Sequence, residues 1–395
     1  MGTKDNNIVQ FPSPGSAKPA DCRLIPERLI EARLVARLTQ TELASRIGIS
    51  RQAISYYEKG TKKPDWAIFV KIASELEQPG AFFTKERYNT FGRQGINFYR
   101  KKNADTKRRL QACNVYALWL ARSAYAFNDI VNFPLVNFPS FEPHDMDSEC
   151  YSEEEIESHA EAVRKYFGLG LGPISNVIRL LESKGALIAH VEIPGEDVEA
   201  FSFWSGDRPF IFLASDKKSA VRRRFDVAHE LAHLCLHRWI TEEELDNPDR
   251  LKQIEQEANH FAGAFLLPRK SFLNEVYSTR VDSFINLKGR WKVSIAAMVH
   301  RCKQLGIFNE DQCLGMNKAI SSKGWRTNEP LDSDEEAIRF EEPLLLRRIA
   351  EIVFKSGRYK IDDLKADLAL SPSVLEQFFG LPLNSPDSGD NEAFL

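Results

Sequence analysis

His229-Glu230-Leu231-Ala232-His233 sets two imidazoles four residues apart with a carboxylate next to the first. On a helix that spacing puts both rings on one face, one turn apart, where they can grip a single metal ion. Glu230 stands beside them, able to take the proton of a water held near the ion. The chemistry this predicts is zinc-dependent hydrolysis of a peptide bond. The competing reading is a chance match made of ordinary core histidines. Phe225, Leu231, Leu234 and Leu236 sustain a helix, with no Gly or Pro between Phe225 and Ile240, so the motif sits in the helical context it requires.

A catalytic zinc site needs a third protein ligand, with one position left open. The next helical stretch, 253–267, carries an apolar stripe of Ile254, Ala258, Phe261 and Phe265 with Glu257 at its edge. A carboxylate beside a core-facing stripe is costly unless a cation compensates it. Glu257 is therefore the first candidate and His260, one turn on, the second. Glu255 reads as lying on the far side of that helix. Glu242, Glu243 and Glu244 read as a solvated face or loop. His237 repeats the spacing after His233 and reads as a supporting or surface residue, and Cys235 as core.

Residues 39–60 spell helix, tight turn, helix. Thr39 caps the first helix with Glu42 in the capping-box position, Gly48 permits a left-handed turn residue, and Ser50 caps the second helix. Leu43, Ala44, Ile47, Ile49 and Ile54 form the small core that sets the helices against each other. Gly60 ends the second helix, and another amphipathic stretch follows from Trp66 to Leu76.

These segments carry two family resemblances. Residues 225–237, followed by Glu257-Ala258-Asn259-His260-Phe261-Ala262 and Leu266-Leu267-Pro268, resemble the ImmA/IrrE family of metallopeptidases across roughly 160–305. The resemblance implies His229, His233 and Glu257 as zinc ligands and Glu230 as general base. Asp226 and Ala232 stand where Thr and Gly are common in that family, and neither is a ligand position. Residues 28–77 resemble the Xre/Cro-type helix-turn-helix domain. That implies a second helix in the major groove of double-stranded DNA, with Arg51, Gln52 and Ser55 as base-contacting candidates and Gln40, Lys59, Lys62 and Lys63 facing phosphates. The alternative is a helical bundle that binds protein. Twelve Lys/Arg against nine Asp/Glu in residues 1–80 make charge alone a poor discriminator.

A chain of 395 residues is long for one core. The expected divisions are a disordered tail at 1–22, a helix-turn-helix domain at 23–84, a helical connector with an acidic loop at 85–159, a peptidase domain at 160–310, a helical region at 311–383 and a second tail at 384–395. Strands are expected at 187–193, 200–204 and 209–213, and a helix over 169–186. The fold class is thus α+β and mostly helical: an all-α N-terminal domain, a zincin-like α+β domain and a helical C-terminal region. The net charge of −3 conceals segregation: residues 81–125 hold ten Lys/Arg against two Asp/Glu, whereas 126–162 hold ten acids and no Lys or Arg. The basic stretch could extend a DNA footprint or be the solvated face of a helix. Residues 364–379 have the look of a second helix-turn-helix, with Ser371 as a cap. His190 alternates with apolar neighbours and reads as structural.

Six cysteines without C-x-x-C spacing point to free thiols in a reducing cytoplasm, and no apolar run is long enough to span a membrane. The function expected is a DNA-binding transcriptional regulator with a zinc metalloendopeptidase domain. Its substrate would be a repressor or other regulatory protein in a stress or mobile-element response. A non-catalytic regulator, with the zinc fold serving as sensor or protein-binding module, is the alternative. The pattern leaves room for a homodimer.

Overall fold

The computed structural model describes residues 24–86, 90–92, 95, 104–141, 150–191, 200–214, 219–333, 335–357 and 359–382. The expected tails at 1–22 and 384–395, the basic run 99–102 and the acidic positions 142–149 lie outside the described residues. Caps define the N-terminal helices. The Thr39 hydroxyl accepts from the Glu42 amide and the Glu42 carboxylate accepts from the Thr39 amide. Gly48 takes φ 76°, and the Ser50 hydroxyl accepts from the Ala53 amide. The result is α1 (Pro26–Val35), α2 (Gln40–Ile47), α3 (Arg51–Glu58), α4 (Trp66–Glu75) and α5 (Gly80–Thr84). Leu43, Ala44, Ile47 and Ile54 are buried between them as expected.

The long helix α6 (Ala104–Tyr125) packs against α1. Its contact contains a buried carboxylate, Glu31, which accepts from Trp119 Nε1 at 3.0 Å, from Arg122 Nη1 at 3.1 and 3.2 Å, and from Arg28 Nη1 at 3.3 Å. Two guanidinium groups around one carboxylate offset the desolvation of all three. This network fixes the N-terminal helices to the rest of the chain.

Next come α7 (Glu153–Tyr166), α8 (Val177–Ser183), β1 (Leu187–Val191), β2 (Ala200–Ser205), β3 (Arg208–Ala214) and α9 (Ala220–Leu236). α8 is shorter than the helix expected over 169–186, because Asn176 caps it and residues 167–176 are irregular. The sheet order is β1-β3-β2, with β1 parallel and β2 antiparallel to β3. Alternation gives the sheet two apolar faces. Leu187, Ala189, Val191, Phe201, Phe203, Phe210 and Phe212 belong to one core, and Ile188, Trp204, Ile211 and Leu213 to another.

The second face backs onto α9, which α11 (Pro248–Leu266) crosses after the short α10 (Glu242–Asp246). The remaining helices are α12 (Arg269–Leu273), α13 (Phe284–Trp291), α14 (Ile295–Gln304), α15 (Glu310–Ser322), α16 (Leu345–Lys355), α17 (Ile361–Leu368) and α18 (Pro372–Phe379). The first sheet face is covered by α6, α16 and α18, with Phe378 edge-on to Phe212 at 6.2 Å. α18 therefore spends Val374, Leu375, Phe378 and Phe379 on the core. Residues 361–379 do run helix, turn, helix through the left-handed Ala369, with Ser371 at the N-cap position of α18, and the second helix is spent on packing.

Between α15 and α16 the chain runs back along the molecule and caps helices as it goes. Glu329 accepts from the amides of Ile295 and Ala296, and Glu341 from those of Val177 and Ile178. Glu182 in turn accepts from Leu344 and Leu345 at the start of α16. Each carboxylate meets the positive end of a helix dipole. Removing Glu31 tests the other fastening: Glu31→Ala should cost about 3–5 kcal/mol, since it leaves buried guanidinium groups uncompensated. Urea titration followed by circular dichroism measures it, and a loss under about 1 kcal/mol would show the network to be peripheral.

Candidate metal centre

His229 and His233 project from α9 with their Nε2 atoms 3.0 Å apart. The Glu255 carboxylate of α11 faces both, at 3.4 Å from His229 Nε2 and 3.6 Å from His233 Nε2. One donor atom from each of the three lies within 4.8 Å of the others. His233 and His229 are buried, and the Glu255 side chain is only 13% exposed. The α9 backbone is set by the sheet behind it, with Val227, Ala228 and Leu231 in the core and the Ser202 hydroxyl donating to the Glu230 carbonyl.

Hydrogen bonds on the far side of each ring fix where its proton sits. Asn259 Nδ2 donates to the Glu255 carbonyl at 2.8 Å, so its Oδ1 is the atom 3.1 Å from His229 Nδ1. His229 must therefore carry its proton on Nδ1. His237 Nε2 lies 2.9 Å from Glu257 Oε2, and His237 Nδ1 lies 2.9 Å from His233 Nδ1. Glu257 accepts from His237, which leaves a lone pair on His237 Nδ1 to accept from His233 Nδ1–H. Burial lowers the His237 pKa to about 3, so the ring is neutral and can play that part. Both Nε2 atoms thus present lone pairs to each other and to a carboxylate. Such a set is repulsive alone and fits a divalent cation. Ligand nitrogens on one tetrahedral zinc stand about 3.3 Å apart, given bonds of roughly 2.0–2.1 Å.

Glu230 lies next to this group, buried, and its Oε2 makes no hydrogen bond among the described residues. Burial pushes its carboxyl up to about 7, partly opposed by the His229 imidazole. A carboxyl kept in this way and not consumed by a salt bridge is what a proton-transfer role requires.

The structure reverses the expected ranking of the two glutamates. Glu255 faces the imidazoles, while Glu257 turns to His237, to Arg250 Nη1 at 3.3 Å and to the Tyr151 amide at 3.3 Å. α11 is sandwiched between α9 and α7, so both of its flanks are interior and an apolar stripe does not single out one carboxylate. Positions two apart on a helix point in nearly opposite directions, and each carboxylate finds a different partner. His260, the second candidate, lies 2.9 Å from Glu157 Oε1, a carboxylate that Arg301 Nη2 also meets at 2.8 Å. Glu244 caps α10 through Thr241. His237 is fully buried and supports His233. Spacing after His233 is the signal that singles it out, and the missing information was what stood opposite.

In the N-terminal helices, Arg51, Gln52, Lys59, Lys62 and Lys63 are exposed and Ser55 is half-exposed. Gln52 Nε2 donates to the Tyr56 hydroxyl at 2.7 Å, and Lys62 sits 4.8 Å over the Tyr56 ring. Gln40 Nε2 donates to Glu58 Oε2 at 2.7 Å, tying the start of α2 to the end of α3.

Residues 181–303 match the family described as the IrrE N-terminal-like domain, a peptidase family, and residues 29–83 match the family described as helix-turn-helix. The chain is similar to the uncharacterized HTH-type transcriptional regulator YqaE of Bacillus subtilis, with 33% identity over 54 residues. That stretch is 14% of this chain and 47% of YqaE, so this chain spans about half of that relative.

The two glutamates separate cleanly by metal analysis. Glu255→Ala should empty the site of zinc after dialysis. Glu257→Gln should stay loaded but bind zinc about 10–100-fold more weakly in chelator competition, the usual cost of losing an outer hydrogen bond. A loaded Glu255→Ala beside an empty Glu257→Gln would reverse the assignment.

Proposed function

The chain joins a helix-turn-helix DNA-binding domain to an IrrE N-terminal-like domain, and from that premise we propose that it is a transcriptional regulator that is also a zinc-dependent endopeptidase. The substrate is a repressor or other regulatory protein, cleaved in a stress or mobile-element response. His229, His233 and Glu255 hold the ion. The observation that carries this reading is the facing pair of Nε2 lone pairs, 3.0 Å apart, with Glu255 opposite and Glu230 alongside.

When bound, zinc supplies Lewis-acid polarisation of the scissile carbonyl and lowers the pKa of a water to ~7. Glu230 takes the proton from the attacking water and delivers it to the leaving amine. Asn259 and the His237–Glu257 pair keep the two imidazoles in the orientation the site needs. The apolar sheet behind α9 restricts water to the open side.

Glu230→Gln is the direct test. It should keep zinc content within error of the parent and lower the cleavage rate at least 100-fold, with proteins encoded beside this chain as substrates. Unchanged turnover would remove Glu230 from the chemistry. A parent chain that carries zinc and cleaves none of them would favour a sensor role for the zinc fold.

On the DNA side, Arg51 and Gln52 read base edges, Ser55 assists, and Lys59, Lys62 and the α2 start at Gln40 meet the backbone. The exposure of α3 beyond Ile54 supports this reading. Arg51→Ala with Gln52→Ala should cost about 1–3 kcal/mol per lost base contact and flatten sequence preference in a binding-site selection, with zinc content unchanged. Retained selectivity in the double variant would place the reading surface elsewhere.

A further inference from the structure

A wedge-shaped cleft of about 730 Å³ opens between α11 and α14. Gln256, Asn259, His260 and Gly263 recur along one side of α11, and Ala297, His300, Lys303 and Gln304 along one side of α14. Phe225, one turn ahead of His229 on α9, and Glu153 complete the lining. The wedge closes at Gly263, where an added Cβ would lie 3.6 Å from Gln304 Oε1 and 3.8 Å from Arg301 Cδ. Its other end reaches the back of His229, where Asn259 meets the Nδ1 side of that ring.

Charge in this cleft is balanced internally. Glu157 is met by Arg301 Nη2 at 2.8 Å and by His260, and Lys303 pairs with Glu310 at 3.1 Å. The remaining lining is carboxamide, imidazole, Phe225, Ala297 and Gly263, with Glu153 as the one acid at the rim. Side-chain amides offer a donor and an acceptor each, the same pair that every peptide group presents. A site of this size with few fixed charges selects by shape and hydrogen bonding. Phosphate-rich ligands would need cations that are not already paired.

Building on the peptidase reading, we propose that the α11–α14 cleft, which lies behind His229, seats an uncharged stretch of the substrate polypeptide away from the bond under attack. The amides of Gln256 and Gln304 take its backbone, and Phe225 and Ala297 take an apolar side chain. Gly263 lets α11 and α14 draw together at the closed end, with Gln304 and Arg301 opposite. Recognition of this kind is insensitive to salt, unlike binding through exposed charge.

The full-length Glu230→Gln chain tests this without turnover, so a failure here is separate from a failure of the catalytic assignment. Three fluorescein-labelled decapeptides serve as probes: a neutral one of Ala, Asn, Gln and Phe, an acidic one and a basic one, each read by anisotropy. The neutral peptide should bind tightest, with affinity changing less than about twofold between low and high salt. Ala297→Phe, which fills the half-buried rim, should weaken it at least tenfold while zinc content and thermal midpoint hold. Gly263→Val gives the same loss from the closed end, should either variant fold poorly. Binding untouched by both substitutions would overturn the proposal. So would a preference for the acidic or basic peptide with steep salt dependence, or no binding by any of the three.

Discussion

Two imidazole nitrogens are held 3.0 Å apart with their lone pairs toward each other, and the surrounding structure can be understood as what makes that arrangement tolerable. Each ring is held from behind, His229 by Asn259 and His233 by His237. Asn259 is itself pinned by the Glu255 carbonyl, and His237 by Glu257, which Arg250 holds in turn. These bonds come from three helices, α7 included through the Tyr151 amide just before it. The donor set so held is one that fits a divalent cation.

The sheet supplies the rigidity behind this. Both of its faces are apolar, so it behaves as a shared wall between two cores. One core contains the metal-centre helices. The other runs without a break from the N-terminal helices through α6 to α16 and α18. The DNA-binding helices are therefore packed into the same apolar mass as the strands. The Glu31 network and the bond from Lys85 Nζ to the Ala366 carbonyl fasten them there.

Much of this was legible in the residues. The helix starts at Thr39 and Ser50, the left-handed Gly48, the three strands and the one-faced histidine pair all rest on local rules, and local rules carry over. What failed were arguments about faces. The apolar stripe on α11 points to Glu257 only if one side of the helix is interior, and packing by both α7 and α9 makes two. Residues 361–379 do form two helices about a left-handed Ala369, yet nothing local says that the apolar side of the second meets Phe212. The roles of Glu182, Glu329 and Glu341 were illegible for the same reason, since each caps a helix far away in sequence.

The late return of the chain has a consequence for how the protein is made. Phe201, Phe203, Phe210 and Phe212 leave the ribosome well before α18, which covers them. At roughly 5–20 residues per second, those rings wait on the order of ten to thirty seconds for their lid. During synthesis the nascent sheet is a sticky half-structure, and a chaperone or the already finished N-terminal helices must shield it until the last helices arrive.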